Sequence, residues 1–292
     1  MFRLLKLKVL FIFVTTILLL QSCSSSKEKP LSKSIQISSE ERVWLTKFFK
    51  DLLFEEEAAF TLFGDKPMVV SLLYYYTEEE FRTFYEALPE AAKKKTQMTH
   101  YDYAENWSKW EKIKDRFPIY NYLFCKRPFS EDKKIYYGFF VNIVETALAI
   151  QENYEDFRRV VGYDFHPFNE VFTIKDENSI FWKAVLKNHA LQGILFGFGK
   201  KNSYLFQWMV DKDDQDVNKE WIQNYLLAQI SDQSPQYGTA SIDNFSLPIF
   251  RYYASEENNS LLTKYHQQRK RIKLFYKKED FLDATLSKLT SQ

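Results

Sequence analysis

Residues 119–141 read IYNYLFCKRPFSEDKKIYYGFFV. Two aromatic-rich runs, Ile119–Cys125 and Ile135–Val141, flank a polar stretch, Lys126–Lys134, that contains Pro128. Branched and aromatic side chains suit a pleated, half-buried surface, and two such runs about a polar connection predict an antiparallel hairpin. A third run, Pro67–Tyr76 (PMVVSLLYYY), has the same character. Together they predict a small sheet covered by helices. The expected fold class is α+β, mostly helical with a small antiparallel sheet.

Helix signals surround these strands. Ser38 with Glu41, and Thr77 with Glu80, have capping-box spacing. After Ser38, Trp44, Phe48 and Leu52 form one apolar stripe, with Leu45, Phe49 and Leu53 beside it, on a helix expected to stop near Gly64. The Thr77 helix should end at Leu88, before Pro89. Further helices are expected over Asp102–Asp115, from Asn142 to Val161, from Asn178 or Ser179 to Phe198, over Asn202–Val210 and over Val217–Ile230. Phe245–Tyr253, interrupted by Pro248, reads as an edge strand or extended loop. The tail Glu256–Leu289 reads as helix with a break near Tyr276.

Composition narrows the class. With 27 Phe, 19 Tyr and 6 Trp but only 7 Gly and 8 Pro, the chain is built for a packed interior and not for a collagen-like or disordered stalk. No internal repeat of fixed period occurs. About 250 residues are left for a core, enough for one large domain.

The first residues carry an address. Arg3, Lys6 and Lys8 precede the uncharged run Val9–Leu20 (VLFIFVTTILLL), and no acid interrupts them. That run has twelve residues, short of the roughly 20 needed to span a bilayer. A secretory signal is therefore expected over residues 1–22. Leu20-Gln-Ser22-Cys23 resembles the lipobox of bacterial lipoproteins, with an aliphatic residue three before the cysteine and a small one just before it. The resemblance covers only these first 23 residues. It implies that Cys23 becomes a lipidated amino terminus, with membrane as its partner, and Ser24 implies the outer membrane. Residues 23–39 (CSSSKEKPLSKSIQISS) have tether composition, and residues 40–292 are expected to form the globular domain. Removing residues 1–22 takes three of the 40 basic groups and none of the 39 acids, leaving a formal charge of −2. Such a chain has no electrostatic case for nucleic acid.

No chemical motif survives a check of its spacing. Gly193-Ile-Leu-Phe-Gly197-Phe-Gly199-Lys200-Lys201 has five residues between its first glycine and Gly-Lys, and Lys201 stands where a phosphate loop has Ser or Thr. Close helix packing at Gly193 and Gly197, with Gly199 ending the helix, is the expectation. Asp211–Asp216 (DKDDQD) carries Asp216 and Ile222 where a calcium loop needs Gly and Glu. His100, His166, His189 and His266 have no metal spacing, and His189 is expected to be a core residue. With Cys23 lipidated, Cys125 is the one remaining thiol, read as buried and structural. No cofactor, metal or catalytic residue is assigned. Arg269-Lys270-Arg271-Ile-Lys273-Leu-Phe-Tyr-Lys277-Lys278 holds six cations and no acid in ten residues, and is a candidate contact for an anionic membrane or an acidic protein partner.

Phe60–Pro67 (FTLFGDKP) and Leu191–Lys200 (LQGILFGFGK) are similar to segments of uncharacterised lipoproteins of chlamydia-like intracellular bacteria. That resemblance implies no activity and no site residues. Two functional classes stay open: an envelope binding or scaffolding lipoprotein, and a periplasmic hydrolase with a carboxylate pair scattered in sequence.

Overall fold

The computed structural model describes residues 36–93, 100–210, 223, 224, 226–236 and 238–291. Cys23, the signal and most of the tether lie outside the described residues, as does the acidic run Asp211–Asp216. Ile37–Gln292 forms one compact unit. It is α+β: helices dominate, around a three-stranded antiparallel sheet and a two-stranded ladder.

The sheet has the order β1 (Met68–Tyr74), β3 (Ile135–Asn142), β2 (Tyr122–Pro128), with β3 central. Val69, Phe140 and Phe124 lie side by side, as do Val70, Phe139 and Cys125. Alternation then sends the two sets to opposite faces. One face, through Ser71 and Phe124, meets Tyr103, Trp107 and Trp110 of α5 (His100–Ile113). These rings close on Phe48 and Phe49 of α1 (Ser39–Lys50). The other face presents Met68, Cys125, Phe139 and Val141 to a core that includes Ile143, Ile150, Phe157, Phe181, Trp182 and Leu191. Full burial of each large apolar side chain is worth about 1.5–3 kcal/mol, so the sheet is held from both sides.

The hairpin forms where the sequence predicts it, but β2 runs three residues beyond Cys125. Lys126 and Arg127 pair with Gly138 and Tyr137. Both charges find distant partners. The Lys126 ammonium donates to Glu111 at 2.7 Å, and Arg127 donates to the carbonyls of Ile174, Asp176 and Glu177. Asn121 O accepts from Ile143 N, and Phe129 N donates to Ile135 O. The odd residues of β2 therefore face β3, and the even ones turn their backbone groups to the open edge. There the Lys114 ammonium takes the Phe124 carbonyl at 3.1 Å, and Pro128 has no N–H.

Both capping boxes are present, at Ser38–Glu41 and Thr77–Glu80. The second opens α3 (Glu78–Ala87), followed by α4 (Glu90–Lys93). Three expected long helices are broken. α1 passes into a π-helical turn, Asp51–Glu55, and restarts as α2 (Ala59–Phe63). Asn153 separates α6 (Ile143–Glu152) from α7 (Tyr154–Val161). The helix expected from Ser179 to Phe198 is two, α9 (Ile180–Val185) and α10 (His189–Leu195), because the Asn188 carboxamide accepts from Leu191 N and caps a new start. A short α8 (Pro167–Thr173), opened by its proline, precedes them.

α11 (Lys200–Val210) follows the Gly197–Gly199 turn. β4 (Gln229–Ile230) pairs with β5 (Arg251–Tyr252), so Ile230 is strand and not the end of a helix. α12 (Glu256–Tyr276) and α13 (Phe281–Thr290) close the chain, with the expected break after Tyr276. α12 seats Tyr265 on Phe60 and Tyr276 on Phe54, and Arg42 of α1 grips Asp280, the cap of α13, and Asp283 within it.

Candidate functional site

Three places concentrate chemistry. The first is the turn after α1. Glu57 has a left-handed backbone (φ 61°), uncommon for a side-chain-bearing residue. Its carboxylate receives the Lys66 ammonium at 3.1 Å and Ile249 N at 3.1 Å. Lys66 is only 2% exposed and Glu57 16%, so the ammonium is buried and the carboxylate reaches water at its rim. Next to it, Glu56 reaches the surface in part, but its carboxyl is crowded by protein. Burial pushes that carboxyl up to about 7, against a hydrogen bond from Ser71, with Glu57, Glu55 and Asp51 adding to the rise. Burial also raises Glu55, against the N–H groups of Ala240 and Gly238, and raises Asp51, against Lys47.

The second place is a pocket of about 420 Å³ between α10, α11 and the β4–β5 ladder, walled by Phe196, Phe198, Phe206, Ile230, Ile249 and Phe250. The glycine turn builds it. Gly197 N donates to Ile194 O and Phe198 N to Gly193 O, while Gly197 is left-handed at φ 76°. This is a Schellman ending, so Gly197, not Gly199, terminates the helix. A Cβ on Gly193 would come within 2.5 Å of Ser203 Oγ, which confirms close helix packing there. His189 is not a core residue. It starts α10, half-buried and edge-on to Phe206, and it lines this pocket.

Comparison with protein-family models, with curated proteins and with solved structures gave no match. The geometry must carry the functional reading alone.

The third place is the basic segment, which the structure divides. Arg269 turns inward to Asp232 at 2.7 Å and to the Phe245 carbonyl. Lys273 donates to the Asp243 carbonyl and lies over the Phe245 ring. These two tie α12 to the loop before β5. Lys270, Arg271, Lys277 and Lys278 stay exposed, and among the described residues no ion pair reaches any of the four. Leu274 lies among them, 59% exposed. Lys270, Arg271 and Leu274 share one helical face, and Lys277 and Lys278 follow in the turn just beyond α12, so the exposed leucine has cations on both sides along the chain.

The other flagged residues do not join a site. Cys125 is buried, and burial pushes its thiol up to about 12, which removes the thiolate that nucleophilic chemistry needs. It borders a groove of about 410 Å³ at the β2 edge, with Lys114, Phe117 and Ile174. His166 precedes α8, and His266 meets Arg269 on α12. Among the described residues, no cluster of three His, Cys, Asp or Glu could hold a metal. The Glu57–Lys66 pair had no sequence signal, since a turn nine residues long brings the two together and the N–H that completes the site comes from Ile249; the pocket had none because its parts lie far apart in the chain.

Proposed function

We propose that this chain is a lipid-anchored envelope lipoprotein, attached through Cys23 at the outer membrane, and that it works as a binding or scaffolding protein. Its folded unit would rest on an anionic membrane surface through the exposed face of α12. The observation that carries this reading is the exposed set Lys270, Arg271, Lys277 and Lys278 around Leu274, which no ion pair reaches among the described residues. Each cation near an anionic bilayer contributes about 1 kcal/mol, and a leucine at the centre can enter the headgroup boundary. The tether ahead of the folded unit, Ser24–Gln36, could stretch to about 44 Å at roughly 3.4 Å per residue, so the lipid would supply attachment and α12 orientation.

A chain starting at Ile37, which keeps the Ser38 cap, should bind vesicles containing phosphatidylglycerol and not pure phosphatidylcholine. Binding should weaken steeply with salt, because the Debye length is only about 8 Å at physiological ionic strength. Changing Lys270, Arg271, Lys277 and Lys278 to Gln should weaken it at least tenfold, on the scale of about 1 kcal/mol per cation. Equal binding after that change would refute the docking face. Intact-mass analysis of the native protein should show a mature chain beginning at an acylated Cys23; a retained signal would refute the anchor.

One observation favours a second reading, a periplasmic hydrolase with a carboxylate pair: Glu56 holds its proton to about pH 7 beside Asp51 and Glu55. A general acid must reach the proton it transfers, and Glu56 lines neither pocket described above. This makes it the weaker reading. A glycan-hydrolysing activity lost in Glu56→Gln would reverse the order.

A further inference from the structure

The groove of about 410 Å³ along β2 plays no part in the membrane reading. On one side stand Lys114 and Phe117, from the 3₁₀ turn after α5; on the other stand Ile174 and Lys175, from the end of α8. Both walls are fixed from behind. Lys126 of β2 pairs with Glu111 at 2.7 Å and holds the first. Arg127, itself buried, donates to the carbonyls of Ile174 and Glu177 at 3.1 and 3.0 Å and holds the second. Phe117, Phe124, Cys125 and Ile174 are buried and give the groove an apolar floor. Walls held in this way need no ligand to form them, which is the usual condition of a small-molecule site.

The edge of β2 is chemically one-sided here. Its even residues turn their N–H and C=O groups outward, so the strand alone would offer donors and acceptors in turn. The Lys114 ammonium takes the Phe124 carbonyl at 3.1 Å. The acceptor at that place is thereby replaced by a cation with donors to spare. Its charge is not cancelled, because its partner is a neutral carbonyl. The N–H groups of Phe124 and Lys126 face the same edge, and neither has a partner among the described residues. Lys175 stands exposed on the facing wall, and among the described residues no ion pair or hydrogen bond holds its ammonium. The charges of Lys114 and Lys175 both reach Cys125 at the floor, where they oppose the burial that raises its thiol. Of the acids in the lining, Glu111 is held by Lys126, and Asp115 is exposed to water. Lys114 and Lys175 therefore outweigh Asp115, and the groove joins an apolar floor to a surplus of positive charge. We infer that this groove binds a small monocarboxylate with an apolar body. The carboxylate accepts from the Lys114 ammonium and the Phe124 N–H, with Lys175 facing it. The body lies over Phe117, Phe124 and Ile174.

Backbone NMR on the chain from Ile37 tests this with phenylpropanoate. Phenylpropanamide, of the same shape, and phenylpropylamine serve as neutral and cationic controls. The acid should shift the Phe124 and Lys126 amide signals saturably. It should bind at least about tenfold more tightly than either control, the scale of a charge-assisted hydrogen bond. Lys114→Gln keeps a donor for the Phe124 carbonyl and loses the charge, so it should erase that preference. Lys175→Gln should weaken the acid by about threefold and Asp115→Asn should strengthen it by about twofold, the scale of one solvated charge nearby. Unchanged melting temperatures confirm that these variants fold. If Lys114→Gln does not fold, the acid–amide comparison on the unaltered chain and the exposed Lys175→Gln still decide. Equal affinity for acid and amide, or a preference untouched by both lysine changes, would overturn the carboxylate assignment. Shifts that do not saturate, or that spare Phe124 and Lys126, would overturn the site. No variant touches the α12 face, so this inference and the membrane reading fail separately.

Discussion

In the turn after α1, Asp51, Glu55, Glu56 and Glu57 place four acids within seven residues. In and just beyond α12, six cations occur within ten residues, Arg269–Lys278. The acids are drawn in. A π-helical turn and a left-handed residue fold them against Lys66, Ser71 and the backbone N–H groups of Ala240 and Ile249. The cations are mostly turned out, with only Arg269 and Lys273 used to hold the neighbouring loop. Both runs look like solvated surface in sequence. What separates them is the supply of opposite partners from elsewhere in the chain. Where Lys66 and free N–H groups converge, charge can be buried; where they do not, it must stay in water.

The sharpest way to break this contrast is Lys66→Met. Removing one partner of a buried pair leaves the other uncompensated, and such changes cost about 3–5 kcal/mol. Urea unfolding should show that loss, and adding Glu57→Gln should recover part of it. A loss under 1 kcal/mol would mean that water reaches the pair and that the two regions do not differ as described.

Glu56 sharpens the same point through pH. Its carboxyl titrates near 7 in the fold against an ordinary 4.5. Between those values the folded chain holds a proton that the unfolded chain releases, so this group makes stability fall as pH rises from 4.5 to 7. Below 4.5 it contributes no difference. Glu56→Gln removes the penalty, so the variant should gain at most about 3 kcal/mol at pH 8, at 1.36 kcal/mol per unit. That gain should vanish near pH 4. Melts followed across this range check it, and a gain independent of pH would place the cause elsewhere.

The smallest effects separate the two halves of the basic segment. Arg269→Gln should cost about 1.5–3 kcal/mol, the range for hydrogen bonds to a charged group. Lys270→Gln and Arg271→Gln, on the open face, should stay within about 0.5 kcal/mol. Vesicle binding should rank these variants the other way round. If stability and binding follow one order, the division of α12 into an inward and an outward set is wrong.

The parts legible in sequence are those whose causes are local. The caps at Ser38, Thr77, Asn142 and Ser179 each act within three residues of themselves, and the apolar strands announce themselves by composition. The breaks at Glu57, Asn153 and Asn188 were hidden because apolar spacing continues across them. Lys126 and Arg127 looked like a turn because their partners, Glu111 and the carbonyls of residues 174–177, lie far along the chain. The basic cluster was visible as a cluster, but not which of its members faces water. The apolar pocket was invisible, since it is assembled from residues 189–206, 230 and 249–251.

The open side of β2 is guarded against strand pairing. An incoming strand from another molecule would need the Phe124 carbonyl as an acceptor and an N–H at position 128. Lys114 already occupies the first, and Pro128 cannot offer the second. Such lysine and proline placements are how sheets resist edge-to-edge aggregation. Copies of this protein crowded together should therefore stay separate molecules along this edge, instead of joining their sheets into a growing ribbon.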